Sequence, residues 1–300
     1  MYRTILVPLD GSTLAERGLA VALPIAERHG ATLVLAAVHE PVLPAVPSSG
    51  VALYDTALDA DERARLQRHL ARVAARARKG GPVAIETIFR EGRVVPTLLA
   101  LIRERRVDLT VMCTHGRGGF QRMWLGSVAD GVVRETPTPL LLVRGGRAPI
   151  APPRPPLGRR VLVALDGSPR AETAVGAVER FLAPSAEAEL ILAHVVHPMV
   201  MAAAMRSARR PDEAFATEYL QPIVERLRGQ GRTARHVMAT DAKVARAILA
   251  LAAEAEADLL AITPQGLRGV TRAMVGSVAD KLIRTAGLPV LVVPSEERRE

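Results

Sequence analysis

An α/β fold of two tandem doubly wound domains, each built on a five-stranded parallel sheet, is what this sequence predicts, on three observations. The first is an internal repeat: Ile5-Leu6-Val7-Pro8-Leu9-Asp10-Gly11-Ser12 returns as Val161-Leu162-Val163-Ala164-Leu165-Asp166-Gly167-Ser168. In the same way Leu33-Val34-Leu35-Ala36-Ala37-Val38 returns as Leu190-Ile191-Leu192-Ala193-His194-Val195, and Asp108-Leu109-Thr110-Val111-Met112 as Asp258-Leu259-Leu260-Ala261-Ile262. A fixed internal repeat decides architecture before any single element does. The second observation is that these apolar runs carry no polar alternation, the mark of strands buried on both faces, and that they alternate with longer helical patterns, the mark of βαβ crossovers. The third is a proline-dense segment between the copies, residues 145–158, which suits neither helix nor sheet and reads as an extended spacer.

The elements follow in order. After the first strand of each copy, Ser12 and Ser168 stand where an N-cap belongs, and Pro169 takes the first helical position, where its missing donor is harmless. The first helix is expected over 14–28. A second strand, a loose stretch (40–57; 197–211) and a charged helix come next. A third strand (83–89; 233–238), a helix (94–105; 244–256) and the fourth strand follow. A glycine-flanked loop, a helix opening with Ser-Val-Ala-Asp and a final strand complete each unit, giving five strands and four helices. The domains are placed at 1–144 and 159–295, with the linker at 145–158 and a charged tail at 296–300.

With 300 residues, 49% of them hydrophobic and 24% charged, the chain is long enough for two cores. The run Ile5 to Leu9 is too short for a signal peptide and no apolar run reaches membrane-spanning length, so no membrane partner is expected. A single cysteine, Cys113, excludes an internal disulfide and a cysteine-based zinc cluster, and points to a reducing cytoplasm. The net charge of +9 invites a nucleic-acid reading. Aromatics at 3% and the lack of a recognition-helix or zinc-finger pattern argue against it, and much of the Arg reads as solvated helix face.

The stretch from Gly116 to Asp130 sets two glycines, Gly116 and Gly126, with nine residues between them and follows them with Ser127-Val128-Ala129-Asp130; Gly266, Gly276 and Ser277-Val278-Ala279-Asp280 repeat it. In an open parallel sheet, ligands bind beyond the carboxyl ends of the strands where strand order reverses. Asp10, Asp166, Gly116 and Gly266 all follow such ends. The amides of Ser127 and Val128, or Ser277 and Val278, are orphan donors at the positive end of a helix, which with a side-chain-free glycine makes a cradle for phosphate. The bland alternative makes Gly116 a turn residue and Ser127 an ordinary N-cap. No Lys follows the glycines as a Walker loop requires, and the motif does not follow the first strand as the dinucleotide fingerprint does.

On Asp10-Gly-Ser, Asp108-Leu-Thr-Val-Met, Thr114-His115-Gly116, the nine-residue gap, Gly126-Ser127 and Pro137-Thr-Pro139-Leu-Leu-Leu-Val, a constellation that occurs twice, the chain resembles the universal stress protein family, in its tandem two-domain form. That resemblance implies Rossmann-like, adenine nucleotide alpha hydrolase-like domains that bind ATP or another adenine nucleotide, with Mg²⁺ accompanying a triphosphate, in a stress-response sensor or regulator. Carried over residue by residue, the adenine would meet Pro8, Leu9, Asp10 and Val38, or Ala164, Leu165, Asp166 and Val195. The ribose would lie against Met112 and Cys113, or Ile262 and Thr263. The phosphates would meet Gly116, Gly126, Ser127 and Val128, or Gly266, Gly276, Ser277 and Val278, with His115 and Arg122 as further contacts whose alternative is solvated charge. The family's ATP-binding members carry a glycine where this chain has Cys113 and Thr263. A Cβ there crowds the ribose, and a left-handed backbone would strain Thr. The second copy also has Pro264-Gln265 for Thr114-His115 and Ala242 for Gly92, so its site is expected to be the weaker.

The resemblance further implies that the final apolar strands, 140–143 and 290–293, lie at sheet edges and pair antiparallel within the chain, leaving room for a further homodimer. No paired carboxylates, metal-spaced histidines or Ser-His-Asp order suggest a catalytic centre. Two readings stay open: a nucleotide-binding sensor, and a nucleotide-independent interaction module on the same fold.

Overall fold

Strand after strand falls where the unbroken apolar runs stand, because a Val/Ile/Leu segment with no polar face is stable only when sheet neighbours and helices cover it on every side. The structure, a computed structural model, describes residues 1–41, 56–114, 125–144, 157–183, 187–199, 216–264 and 275–294. In the first half β1 (Thr4–Pro8), α1 (Glu16–His29), β2 (Thr32–His39), α2 (Thr56–Arg78), β3 (Ile85–Glu91), α3 (Val94–Glu104), β4 (Leu109–Cys113), α4 (Ser127–Glu135) and β5 (Leu140–Val143) succeed one another. The second half runs β6 (Arg160–Ala164), α5 (Pro169–Leu182), β7 (Glu189–Val196), α6 (Gln221–Gly229), β8 (Thr233–Thr240), α7 (Val244–Glu254), β9 (Leu259–Ile262), α8 (Ser277–Thr285) and β10 (Val290–Val292). A π-helical turn, Ala216–Leu220, leads into α6 and has no counterpart in the sequence reading.

The strands form one sheet in the order β3-β2-β1-β4-β5-β10-β9-β6-β7-β8. Each half is parallel and reverses its winding between its first and fourth strands. The expected antiparallel pairing of the last strands is present, with Val290 opposite Leu142, Leu291 opposite Leu141 and Val292 opposite Leu140. These strands therefore sit at the centre of the sheet, and β3 and β8 are its edges. The antiparallel junction also points the carboxyl ends of the two halves in opposite directions along the strand axis.

Alternate strand residues feed two layers. Ile5 and Val7 pack with Ile25 of α1, Val73 of α2, Phe181 of α5 and Leu227 of α6 in one continuous core. On the other face, Leu140, Leu142 and Ile262 pack with Val132 of α4, Ile248 of α7 and Leu282 of α8, and Leu6 packs with Ile102 of α3.

Several boundaries differ from the sequence reading. Helix α5 begins as expected: Ser168 (φ −89°, ψ 147°) accepts from the Ala171 amide and Pro169 opens the helix. In the first half Ser12 makes the same bond to the Ala15 amide at 3.1 Å, yet residues 13–15 form a turn and α1 starts at Glu16 rather than 14. The proline that presets φ in the second half is replaced by Thr13. Strands β3 and β8 run two residues beyond the expected ends because β2 and β7 continue to offer a ladder, to His39 opposite Glu91 and Val196 opposite Thr240.

Two polar assemblies tie helices together. Glu16, buried in the first turn of α1, accepts from Arg76 of α2, and His69 Nε2 lies 3.5 Å from its other oxygen. Between the halves, Arg28 donates to the carbonyls of Phe181 (2.8 Å) and Leu157 (3.3 Å), with its guanidinium 5.2 Å from the centre of the Phe181 ring. His29 Nδ1 accepts from the Tyr2 amide at 3.2 Å, so the ring proton sits on Nε2, which donates to the Phe181 carbonyl at 3.0 Å. That pattern requires a neutral imidazole.

Burial lowers the pKa of both His29 and His69, while both titrate near 6.5 in an unfolded chain. The unfolded state then binds more protons just below pH 6.5, so the stability these groups contribute is complete above that pH and is lost as pH falls. Urea denaturation is expected to give a lower free energy of unfolding at pH 5.5 than at 7.5, with each histidine contributing at most about 1.4 kcal/mol per pH unit. His29→Gln is expected to shallow the slope.

Candidate functional site

The ends of β1 and β4 create the site, because the chain winds away from that point on both sides. Asp10 does not hang free there. Its Oδ1 accepts from the Ser12 amide (2.9 Å) and hydroxyl (2.6 Å), and Asp166 holds Ser168 the same way at 3.0 and 2.6 Å. The intervening glycines, Gly11 (φ 79°) and Gly167 (φ 86°), are left-handed, a conformation costly to any residue with a Cβ. The Asp-Gly-Ser repeat is thus a local turn that fixes a carboxylate just past the strand end.

Register brings the other predicted residues to the same edge. Pro8 pairs with Ala36, and continuing that ladder sets Asp10 level with Val38; Ala164 pairs with Ala193, which sets Asp166 level with Val195. From Leu6 opposite Thr110, Pro8 comes level with Met112 and Leu9 with Cys113. From Val163 opposite Ala261, Ala164 comes level with Ile262 and Leu165 with Thr263. Leu9, Met112, Leu165 and Ile262 bury their side chains in the core, so only their backbones can face a ligand.

The loop between the glycines starts and ends at one point. The Gly126 amide donates to the Thr114 carbonyl at 2.9 Å, and Gly276 to Pro264 at 2.7 Å, closing each excursion at its neck. Gly126 (φ −58°, ψ 148°) is itself the N-cap of α4, as Gly276 is of α8, and neither helix has a side-chain cap. Ser127 and Ser277 are therefore first helical residues, exposed, rather than ordinary N-caps. The first intrahelical bond is Asp130 N–H to Gly126, so the amides of Ser127, Val128 and Ala129 find no acceptor within the helix. At Gly276 an added Cβ would stand 3.3 Å from the Pro264 carbonyl, a tight approach that the neck would have to loosen to admit. His115, Gly116, Arg122 and Gly266 lie outside the described residues.

The expected backbone strain at the two missing glycines is not present. Among the described residues, Arg106 and Glu256 are the non-glycines with positive φ, so Cys113 and Thr263 sit in ordinary conformations without strain. What remains is the space their side chains take. Thr263 also turns its hydroxyl toward the Arg170 carbonyl of α5 at 3.4 Å. Gly92, by contrast, is left-handed at φ 134°, and the second half replaces that turn with one in which Asp241 accepts from the Lys243 amide at 2.7 Å.

Two histidines were passed over in the sequence reading. His39, next to Val38, is buried against Asp59 of α2 at 3.0 Å and ties that helix to the rim. His194 occupies the place of Ala37, donates through Nδ1 to the Leu165 carbonyl at 2.8 Å, and has its pKa lowered by burial. The Ala-to-His change between aligned strands was its visible signal. Among the described residues no group of three His, Cys, Asp or Glu is disposed to hold a metal, and no helix is long and apolar enough to cross a membrane.

Comparison with known proteins agrees with this geometry. The model of the universal stress protein family matches residues 1–144 and 158–294. A Thermus aquaticus universal stress protein is 37% identical over 145 residues, 48% of this chain and the whole of that one. One from Mycobacterium tuberculosis is 29% identical over 231 residues, covering 74% of this chain and 72% of its own. The crystal structure of a universal stress protein from Archaeoglobus fulgidus superposes with a TM-score of 0.75 over 99% of this chain and 98% of that chain, at 21% identity, a likeness of fold. The chain belongs to the universal stress protein family, as a tandem member with two copies of the domain in one continuous sheet.

Proposed function

We propose that this chain binds an adenine nucleotide, ATP or AMP, at the carboxyl ends of its strands and acts as a sensor or regulator in a stress response rather than as a dedicated enzyme. The observation that carries the reading is built twice: a strand-terminal carboxylate fixed in an Asp-Gly-Ser turn beside a loop neck from which three helix-start amides project. Aligned amides at a helix N-terminus favour phosphate, and the carboxylate and the adjacent strand backbone suit the exocyclic amine of an adenine. Mg²⁺ would enter with a triphosphate. Any turnover is expected to be slow and incidental to binding.

The two sites are expected to differ. The first carries Cys113 and Gly92. The second carries Thr263, held toward α5, and His194 behind its aspartate turn. Calorimetric titration of the full chain with ATP tests this: Asp10→Ala is expected to weaken the tighter binding roughly tenfold, the scale of one charged hydrogen bond, and Asp166→Ala to leave it unchanged. Equal effects would refute the inequality. The alternative, a docking module that needs no nucleotide, draws on Cys113 and Thr263 standing where a nucleotide site favours glycine. It predicts no ATP uptake at millimolar concentration.

A further inference from the structure

At the amino ends of the first half's strands, opposite its proposed nucleotide site, lies a cleft of about 310 Å³ bounded by the end of α3, the starts of β4 and β5, and Arg180 of α5. Three arginines, Arg103, Arg106 and Arg180, all exposed, line it together with Thr138. Most arginines of the described surface are committed to carboxylates or carbonyls, such as Arg105 on Glu86 and Arg160 on Glu256. The guanidinium groups of these three have no hydrogen-bonded or ion-paired partner among the described residues. The one carboxylate in the wall, Asp108, is already held by the Arg3 and Thr4 amides at 2.7 and 3.1 Å.

The internal repeat supplies a control. Arg106 and Glu256 occupy equivalent positions, each ending its helix in a left-handed conformation (φ 47° and 50°) that glycine or asparagine would take more cheaply. Glu256 is paired with Arg160, and Glu189 lies between Arg160 and Arg235, so that corner is closed on itself. In the first half Thr4 and Thr32 stand where Arg160 and Glu189 stand, Arg103 replaces Ala253, and Arg106 is left facing the cleft. The second half contributes Arg180 across the junction. Among the described residues, the cationic cleft of the first half is therefore not repeated at the corresponding corner of the second.

We propose that this cleft is a binding site for a small oxyanion of the phosphate class bearing two or more negative charges, separate from the nucleotide sites and bridging the two halves. Planar guanidinium groups grip tetrahedral oxyanions through paired N–H donors, and three of them around one volume favour a di- or polyphosphate over a singly charged ion. Because Arg180 belongs to the second half, an occupant would also tighten the junction.

The test is titration of the full chain with inorganic pyrophosphate, followed by calorimetry and thermal melting. One equivalent is expected to bind and raise Tm. Arg180→Ala and Arg106→Gly are each expected to weaken binding roughly tenfold or more. Arg106→Gly also relieves the left-handed backbone, so it is expected to melt no lower than the parent without ligand, which separates lost binding from lost folding. No binding at millimolar pyrophosphate would overturn the proposal, as would unchanged affinity in both variants, which would move the ion elsewhere. A third contrary result concerns the charged residues 295–300, whose three glutamates follow Pro294, past the point where Val292 meets Leu140. If only a chain ending at 294 bound pyrophosphate, the cleft would belong to the protein's own carboxylates.

Discussion

Leu141→Asp is expected to abolish the cooperative fold of the whole chain. Leu141 has no exposed surface, lies directly opposite Leu291 across the β5–β10 ladder, and belongs with it to the core that runs through both halves. Truncation of a buried leucine alone costs about 2–5 kcal/mol. A carboxyl group without a partner in that layer adds several more, whether it ionises or takes up a proton. A total on that scale consumes most of the roughly 5–15 kcal/mol that holds a typical domain together. Circular dichroism should show no cooperative thermal transition in the variant, whereas Leu141→Ala should melt cooperatively at reduced Tm. If Leu141→Asp melts as the parent does, the central ladder is not what joins the halves.

Phe181→Ala is expected to be the second most damaging single change, lowering the free energy of unfolding by about 3–5 kcal/mol. Its ring is fully buried at the end of α5, packs against Gly158 and lies beneath the Arg28 guanidinium. Its carbonyl, the acceptor for both Arg28 and His29, survives the substitution, so the loss reads the ring and not the hydrogen bonds. Arg28→Ala would do the reverse, leaving the ring in its core and removing the hydrogen bonds to the Phe181 and Leu157 carbonyls. Urea denaturation of the two single variants and the double variant measures their coupling. Additive effects would show that the guanidinium does not use the ring.

Much of this protein was legible before any coordinates. The repeat fixes two copies, and the unbroken Val/Leu runs place the strands, because sheet burial on both faces is written directly into composition. The Asp-Gly-Ser turn was also readable, since Asp, left-handed Gly and Ser each have a local reason to stand where they do. The start of α1 was less legible: Ser12 and Ser168 look alike, and the decisive difference is a proline one position later. Local reading failed where the answer depends on backbone geometry. Cys113 and Thr263 replace a glycine, yet only coordinates show that no left-handed turn is required there. The latch of Tyr2, Arg28 and His29 on Phe181 and the cleft around Arg106 lay beyond sequence reasoning, because they exist only once the antiparallel junction brings residues of the two halves together. The glycine-loop residues 115–124 and 265–274 lie outside the described residues, so their part in the site rests on the resemblance.

The central claim, that the paired cradles hold adenine nucleotide, is tested most directly by denaturing the purified chain and quantifying the released nucleotide by mass spectrometry. The account predicts about one ATP or AMP per chain, from the first half, rising toward two only if the Thr263 side is also filled. A chain that releases none, and takes none up when millimolar ATP is added, would contradict it and leave the duplicated fold as a docking module.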